Sequence, residues 1–154
     1  MKVTGAIASS LEKAGHIKGT DKVIEALGYW PTFHDAEVIS FSAKRALPFK
    51  SGFTIARLDV HVRHYEIVGE GTAQYAQVLR KNVLIRFVFD GACDIELSGF
   101  NHQNVINGIA VDLTEGTEAT GFSVNIDSIF GFGGTLRCLS VSIESVELMS
   151  IALD

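Results

Sequence analysis

The chain has 154 residues, 47% of them hydrophobic and 20% charged, which excludes a disordered polypeptide and supplies enough apolar surface for one core. The net charge is -5, and the longest basic runs are the pairs Lys44-Arg45 and Arg80-Lys81, so the basic stripe of a nucleic-acid binder is missing. No run of 18 apolar residues occurs, which excludes a membrane-spanning helix.

The first residues, MKVTGAIASSLEKAG, hold a short apolar stretch broken by Glu12 and Lys13, unlike a signal peptide. Leu11 and Ala14 could form one amphipathic turn before Gly15 and Gly19 interrupt it. The expectation is a single domain over residues 1–154, located in the cytoplasm.

A helix is predicted next. Thr20 or Asp21 caps it, Val23, Ile24 and Leu27 give it an apolar face, and Gly28 ends it. Pro31 prevents its continuation. The periodicity then changes to alternation. Residues 36–43 place Glu37, Ile39 and Phe41 on one face, and Val38 and Ser40 on the other. Residues 54–64 set Leu58, Val60 and Val62 against Arg57, Asp59, His61 and Arg63, and residues 83–90 set Val83, Ile85, Phe87 and Phe89 against Leu84, Arg86, Val88 and Asp90. Further strands are predicted at 93–99, 105–113, 122–127, 135–144 and 146–152, separated by segments rich in Gly, Asn, Asp and Thr. With 15 Gly and 2 Pro in the chain, the fold class is α+β and mainly antiparallel β: a short N-terminal helix followed by seven or eight strands in a curled sheet or sandwich.

The densest polar cluster among aromatics runs from Trp30 to Glu37. His34, Asp35 and Glu37 are suitable metal ligands or proton carriers. In an extended segment, however, His34 and Asp35 point to opposite faces, while Asp35 and Glu37 share one. The competing reading is structural. Trp30 and Phe33 anchor the loop, Asp35 accepts backbone N–H groups in an Asx turn, and His34 bonds a backbone carbonyl. His61 and His64, three apart on a strand, fall on opposite faces and do not form a metal pair. The amide-rich segment from Gly99 to Ile106 suits turns and cross-strand hydrogen bonds. Gly131-Phe132-Gly133-Gly134 lacks dinucleotide-fingerprint spacing and reads as a hairpin tip or bulge. Cys93 and Cys138 lie outside any CxxC or zinc spacing and are expected to be reduced, and a disulfide would require that they face each other in the sheet. No local nucleophile motif occurs.

At Trp30-x-x-Phe33-His34-Asp35-Ala36-Glu37-Val38 the chain resembles the immunity protein 50 family. The resemblance continues at Phe87 to Gly91 and at Phe100-Asn101-His102-Gln103-Asn104, and it covers most of the chain after about Thr20. It implies a bacterial cytoplasmic antidote, made beside a toxin, that protects the producing cell by binding that toxin. It implies no enzyme activity, no cofactor and no catalytic residues. Trp30, Phe33, His34, Asp35 and Glu37 would then be a signature motif with a structural or a binding role.

The partner expected is a cognate protein toxin, to which an acidic chain is drawn when the toxin is basic. Its docking face is expected over residues 64–82 and 112–121, with Glu66, Glu70, Asp112, Glu115 and Glu118 as candidate contacts. Exposed sheet edges make a homodimer conceivable. Two alternatives stand beside this reading: a metal-dependent enzyme site around His34, Asp35 and Glu37, and a β-barrel that carries a small ligand in an apolar pocket.

Overall fold

The computed structural model describes residues 14–47, 54–114 and 121–150. After a two-residue strand β1 (Ile17–Lys18) comes helix α1 (Thr20–Leu27), and then eight strands: β2 (Glu37–Arg45), β3 (Thr54–Val68), β4 (Ala76–Asp90), β5 (Cys93–Ser98), β6 (Val105–Leu113), β7 (Phe122–Phe130), β8 (Gly133–Cys138) and β9 (Ser140–Leu148). All described strands belong to one sheet, in the order β1-β9-β4-β3-β2-β6-β7-β8-β5. Every strand pair is antiparallel except β1 with β9. The described fold is thus mainly antiparallel β with a short helix, and of the two arrangements expected it is the curled sheet.

The helix starts one position away from the expected cap. Gly19, in the left-handed conformation at φ 83°, precedes Thr20 and offers no side-chain cap, while Gly28 closes the helix as expected, its N–H donating to the Ile24 carbonyl at 2.7 Å. Val23 and Leu27 turn inward onto the sheet.

The core is built from strand alternation. Ala56, Leu58 and Val60 of β3 lie beside Phe89, Phe87 and Ile85 of β4, all with no exposed surface. Burying side chains of this size contributes about 1.5–3 kcal/mol each. The opposite face of the same strands is polar. There Asp59 takes two hydrogen bonds from Arg86, at 2.7 and 3.0 Å, and one from the Ser40 hydroxyl at 3.0 Å.

Strand β2 departs from the predicted phase. A bulge between Val38 and Ser40 leaves Ile39 outside the ladder and 45% exposed. Val38 and Phe41 therefore face inward together, opposite Val60 and Leu58, while Glu37 and Ser40 turn outward.

The predicted strand at 135–144 is divided between two strands, β8 and β9. β4 pairs with β9 up to Asp90↔Ser140, and β5 pairs with β8 from Cys93↔Arg137. The two ladders are one ribbon bent at a corner made by Gly91, Ala92 and Leu139. Because β4 and β9 lie near one end of the sheet and β5 and β8 at the other, this corner draws the two ends together and curls the sheet. Leu139 N–H donates to the Asp90 carbonyl and Ala92 N–H to the Thr54 carbonyl, each at 2.8 Å. Gly91 has φ 65°, and a Cβ there would stand 2.7 Å from the Leu139 side chain, so the corner requires glycine. The corner also shifts the inward phase, from Leu136 and Cys138 before it to Val141 and Ile143 after it.

Candidate functional site

The segment from Trp30 to Glu37 joins the helix to β2. Trp30 and Phe33 are 5% and 3% exposed, and each packs edge-on against Phe87 and against the other, with Trp30–Phe33 centroids 5.4 Å apart and Phe33–Phe87 centroids 5.6 Å apart. To turn the aromatics in and the polar groups out, the backbone adopts φ 65° at both Phe33 and Asp35. A left-handed residue other than glycine costs on the order of 1 kcal/mol. Backbone bonds hold the arrangement: Asp35 N–H to the Ile106 carbonyl, Ile106 N–H to the Ala36 carbonyl, and Ala36 N–H to the Phe33 carbonyl, at 2.9–3.1 Å.

This geometry changes the expected roles of the polar pair. The segment is not extended, so His34 and Asp35 do not diverge: His34 Nε2 lies 3.6 Å from Asp35 Oδ2, with both side chains more than half exposed. His34 has a side-chain partner, Asn107 Oδ1 at 2.8 Å, in place of the expected backbone carbonyl. The Thr32 hydroxyl, rather than Asp35, forms the local turn by accepting the His34 N–H at 3.3 Å. Asn107 Nδ2 donates to Asp127 Oδ2 at 3.0 Å. A carboxylate only accepts, so Asp127 fixes the Asn107 amide and thereby places a proton on His34 Nδ1. The result is a surface relay Asp35–His34–Asn107–Asp127 across three elements.

Glu37 turns elsewhere. One carboxylate oxygen accepts the Asn104 N–H at 3.3 Å. Asn104 is 3% exposed and its amide is fully used: Oδ1 accepts from the N–H groups of Asn101 (2.8 Å) and Phe132 (3.1 Å), and Nδ2 donates to the carbonyls of Asn101 (3.0 Å) and Val38 (3.3 Å). One side chain thus ties the amide-rich loop to β2 and to the β7–β8 turn.

Two clefts flank the 31–36 loop. One, of about 260 Å³, is lined by Asp35, Glu37, His61, Arg63 and Gln103. The other, of about 570 Å³, lies between Trp30–Phe33 and strand β6 and is bordered by Asp112 and Asp127. Beneath the loop, against Trp30, Phe33 and Phe87, a hollow of only about 30 Å³ remains, room for about one water molecule.

His61 and His64 fall on opposite faces. His61 bonds the Asn82 side chain, and His64 Nδ1 meets the Tyr29 hydroxyl at 2.8 Å. Burial pushes the Tyr29 phenol upward. Among the candidate contacts, Glu66 on β3 pairs with Arg80 of β4 at 2.7 Å. Glu70 is exposed at the tip of that hairpin, and Asp112 is exposed on β6. Glu115 and Glu118 lie outside the described residues. Asn107 and Asp127 were not legible as partners of His34, because only the fold brings positions 73 and 93 residues away into one relay.

As a potential metal centre the loop is poorly arranged. Both His34 nitrogens face protein groups, and Glu37 is turned to a backbone N–H. Among the described residues no three His, Cys, Asp or Glu side chains converge as ligands. Cys93, exposed, and Cys138, buried, are free thiols. Cys93 pairs with Arg137, so the adjacent Cys138 points to the other face.

Fold and site together define a curled-sheet protein that offers solvent a fixed polar loop between two open clefts. Residues 19–149 match the family description immunity protein 50, and the chain belongs to that family. No curated protein and no solved structure matches it.

Proposed function

We propose that this protein neutralises a bacterial toxin by binding it, and has no enzymatic activity of its own. The family match over residues 19–149 carries the proposal. The physical features agree with it. The polar groups of the 30–37 segment are engaged in positioning a loop rather than converging on a reaction centre, and the hollow beneath that loop is too small for an organic ligand. The net charge of -5 suits a basic partner, whose approach it would accelerate at low salt.

The experiment is co-expression with the toxin domain encoded next to the gene. Growth should be restored and the two proteins should co-purify, with an association rate that falls as salt rises. Normal toxin killing in the presence of well-expressed, folded protein would refute the proposal.

A further inference from the structure

We infer that the edge of β6 beyond Ile106, which has no strand partner among the described residues, receives an extended, cationic segment of the toxin by strand addition, an inference that rests on the toxin-binding reading above. β6 is nine residues long and pairs regularly with β7 from Gly108↔Asp127 to Leu113↔Phe122. Its other side meets β2 at one position, Val105↔Glu37. Ile106 uses its N–H and carbonyl on Ala36 and Asp35. Beyond Ile106, no described strand pairs with that side.

The direction of the groups that no described strand uses follows from ladder parity. Thr114 N–H donates to the Gly121 carbonyl, so Thr114 is bonded toward β7, as are Asp112 and Ala110 at steps of two. Ile109, Val111 and Leu113 therefore direct N–H and C=O away from β7, and Ile109 and Val111 line the 570 Å³ cleft. The facing wall, Trp30 to Phe33, includes Pro31, which has no N–H to give. Unpaired strand groups beside a groove are the receptor for β-augmentation.

The two terminal strands of the sheet, β1 and β5, are less suited. β1 has two residues, and β5 has six with a register irregularity and a left-handed Asp94 at φ 47°, features that blunt an edge. The charge of the groove selects the occupant. Asp112 and Asp127 border it together with His16, and among the described residues no Lys or Arg lines it. Asp112 and Asp127 have no Lys or Arg partner among the described residues, in contrast with Asp59, Glu66, Asp94 and Glu144, each of which is arginine-paired. A strand carrying Lys or Arg on the side next to Asp112 and Asp127 would match both the hydrogen-bonding and the charge pattern.

The test uses the full chain and two synthetic decapeptides, one alternating Lys and Val and one alternating Glu and Val, followed by amide NMR and hydrogen exchange. The Lys peptide should shift and protect the amides of Ile109, Val111 and Leu113, and the Glu peptide should not. Asp112→Asn with Asp127→Asn should weaken Lys-peptide binding about tenfold, with a cooperative thermal transition showing that the variant is folded. Perturbation centred on β5 or on the β3–β4 hairpin, equal binding of both peptides, or no binding would overturn the inference. Toxin rescue by the unaltered chain is scored separately. Rescue with an inert β6 edge refutes strand addition alone, whereas failed rescue refutes the toxin-binding reading.

Discussion

Asp59 illustrates how one residue on the polar face couples stability to pH. It is 8% exposed, and its carboxyl is held below the ordinary carboxylate range, first by hydrogen bonds from Arg86, against an opposing desolvation, with the Ser40 hydroxyl assisting. A carboxyl whose folded value lies below its unfolded one stabilises the fold above the unfolded value, about 3.9. That contribution is lost as pH falls through the folded value. Urea titrations should therefore show stability declining below about pH 4. Arg86→Met should lower stability at pH 7 by about 2 kcal/mol, because it leaves a buried carboxylate without its charged partner, and should flatten the acid dependence. The cysteines give a second residue-level test. Burial pushes the Cys138 thiol up to about 11, with Cys93 and Asp90 adding to the effect. Since the thiolate is the reactive form, a disulfide-exchange reagent at pH 8 should label Cys93 rapidly in the native protein and reach Cys138 only on unfolding. Cys93→Ser should abolish the fast phase.

Elements are held together here by a few side chains with long reach. Asn104 serves Asn101, Phe132 and Val38 through one amide, so Asn104→Ala removes four hydrogen bonds and leaves buried backbone groups unmatched. A loss of about 3 kcal/mol is expected in chemical denaturation. Hydrogen exchange should rise first in the 99–104 loop and at Phe132. The amide-rich composition of that loop made its turn and cross-strand bonding legible in the sequence; which amide would be buried was not, since nothing local separates Asn104 from Asn101. The phase error in β2 has a similar origin. Alternation assumes an uninterrupted ladder, and the bulge at Ile39 is set by pairing with β3, which is remote in sequence.

The whole molecule depends on the corner that joins the β4–β9 and β5–β8 ladders. Gly91→Val introduces a side chain at positive φ where Leu139 already stands. It should destabilise the protein by more than 2 kcal/mol, as a lowered urea midpoint will show. Adding Leu139→Ala should recover the steric part but not the backbone strain, a difference that a double-mutant cycle measures. Because this corner connects the two ends of the sheet, its variants should lower the cooperativity of unfolding as well as the midpoint, in contrast with surface changes such as Glu70→Gln.

Composition, alternation and turn residues by themselves determined that this chain is a mainly antiparallel β protein with a short helix closed by Gly28, and the run from Trp30 to Val38 pointed to its family. Those properties are local, being written in spacings of two to four residues. Only the tertiary structure decided the strand order, the corner at Gly91 and Leu139, the meeting of His34 with Asn107 and Asp127, and the side of β6 that no described strand pairs with beyond Ile106. Each of these depends on which strands pair across tens of residues, and a hydrogen-bonded ladder takes its partner from the geometry of the assembled sheet.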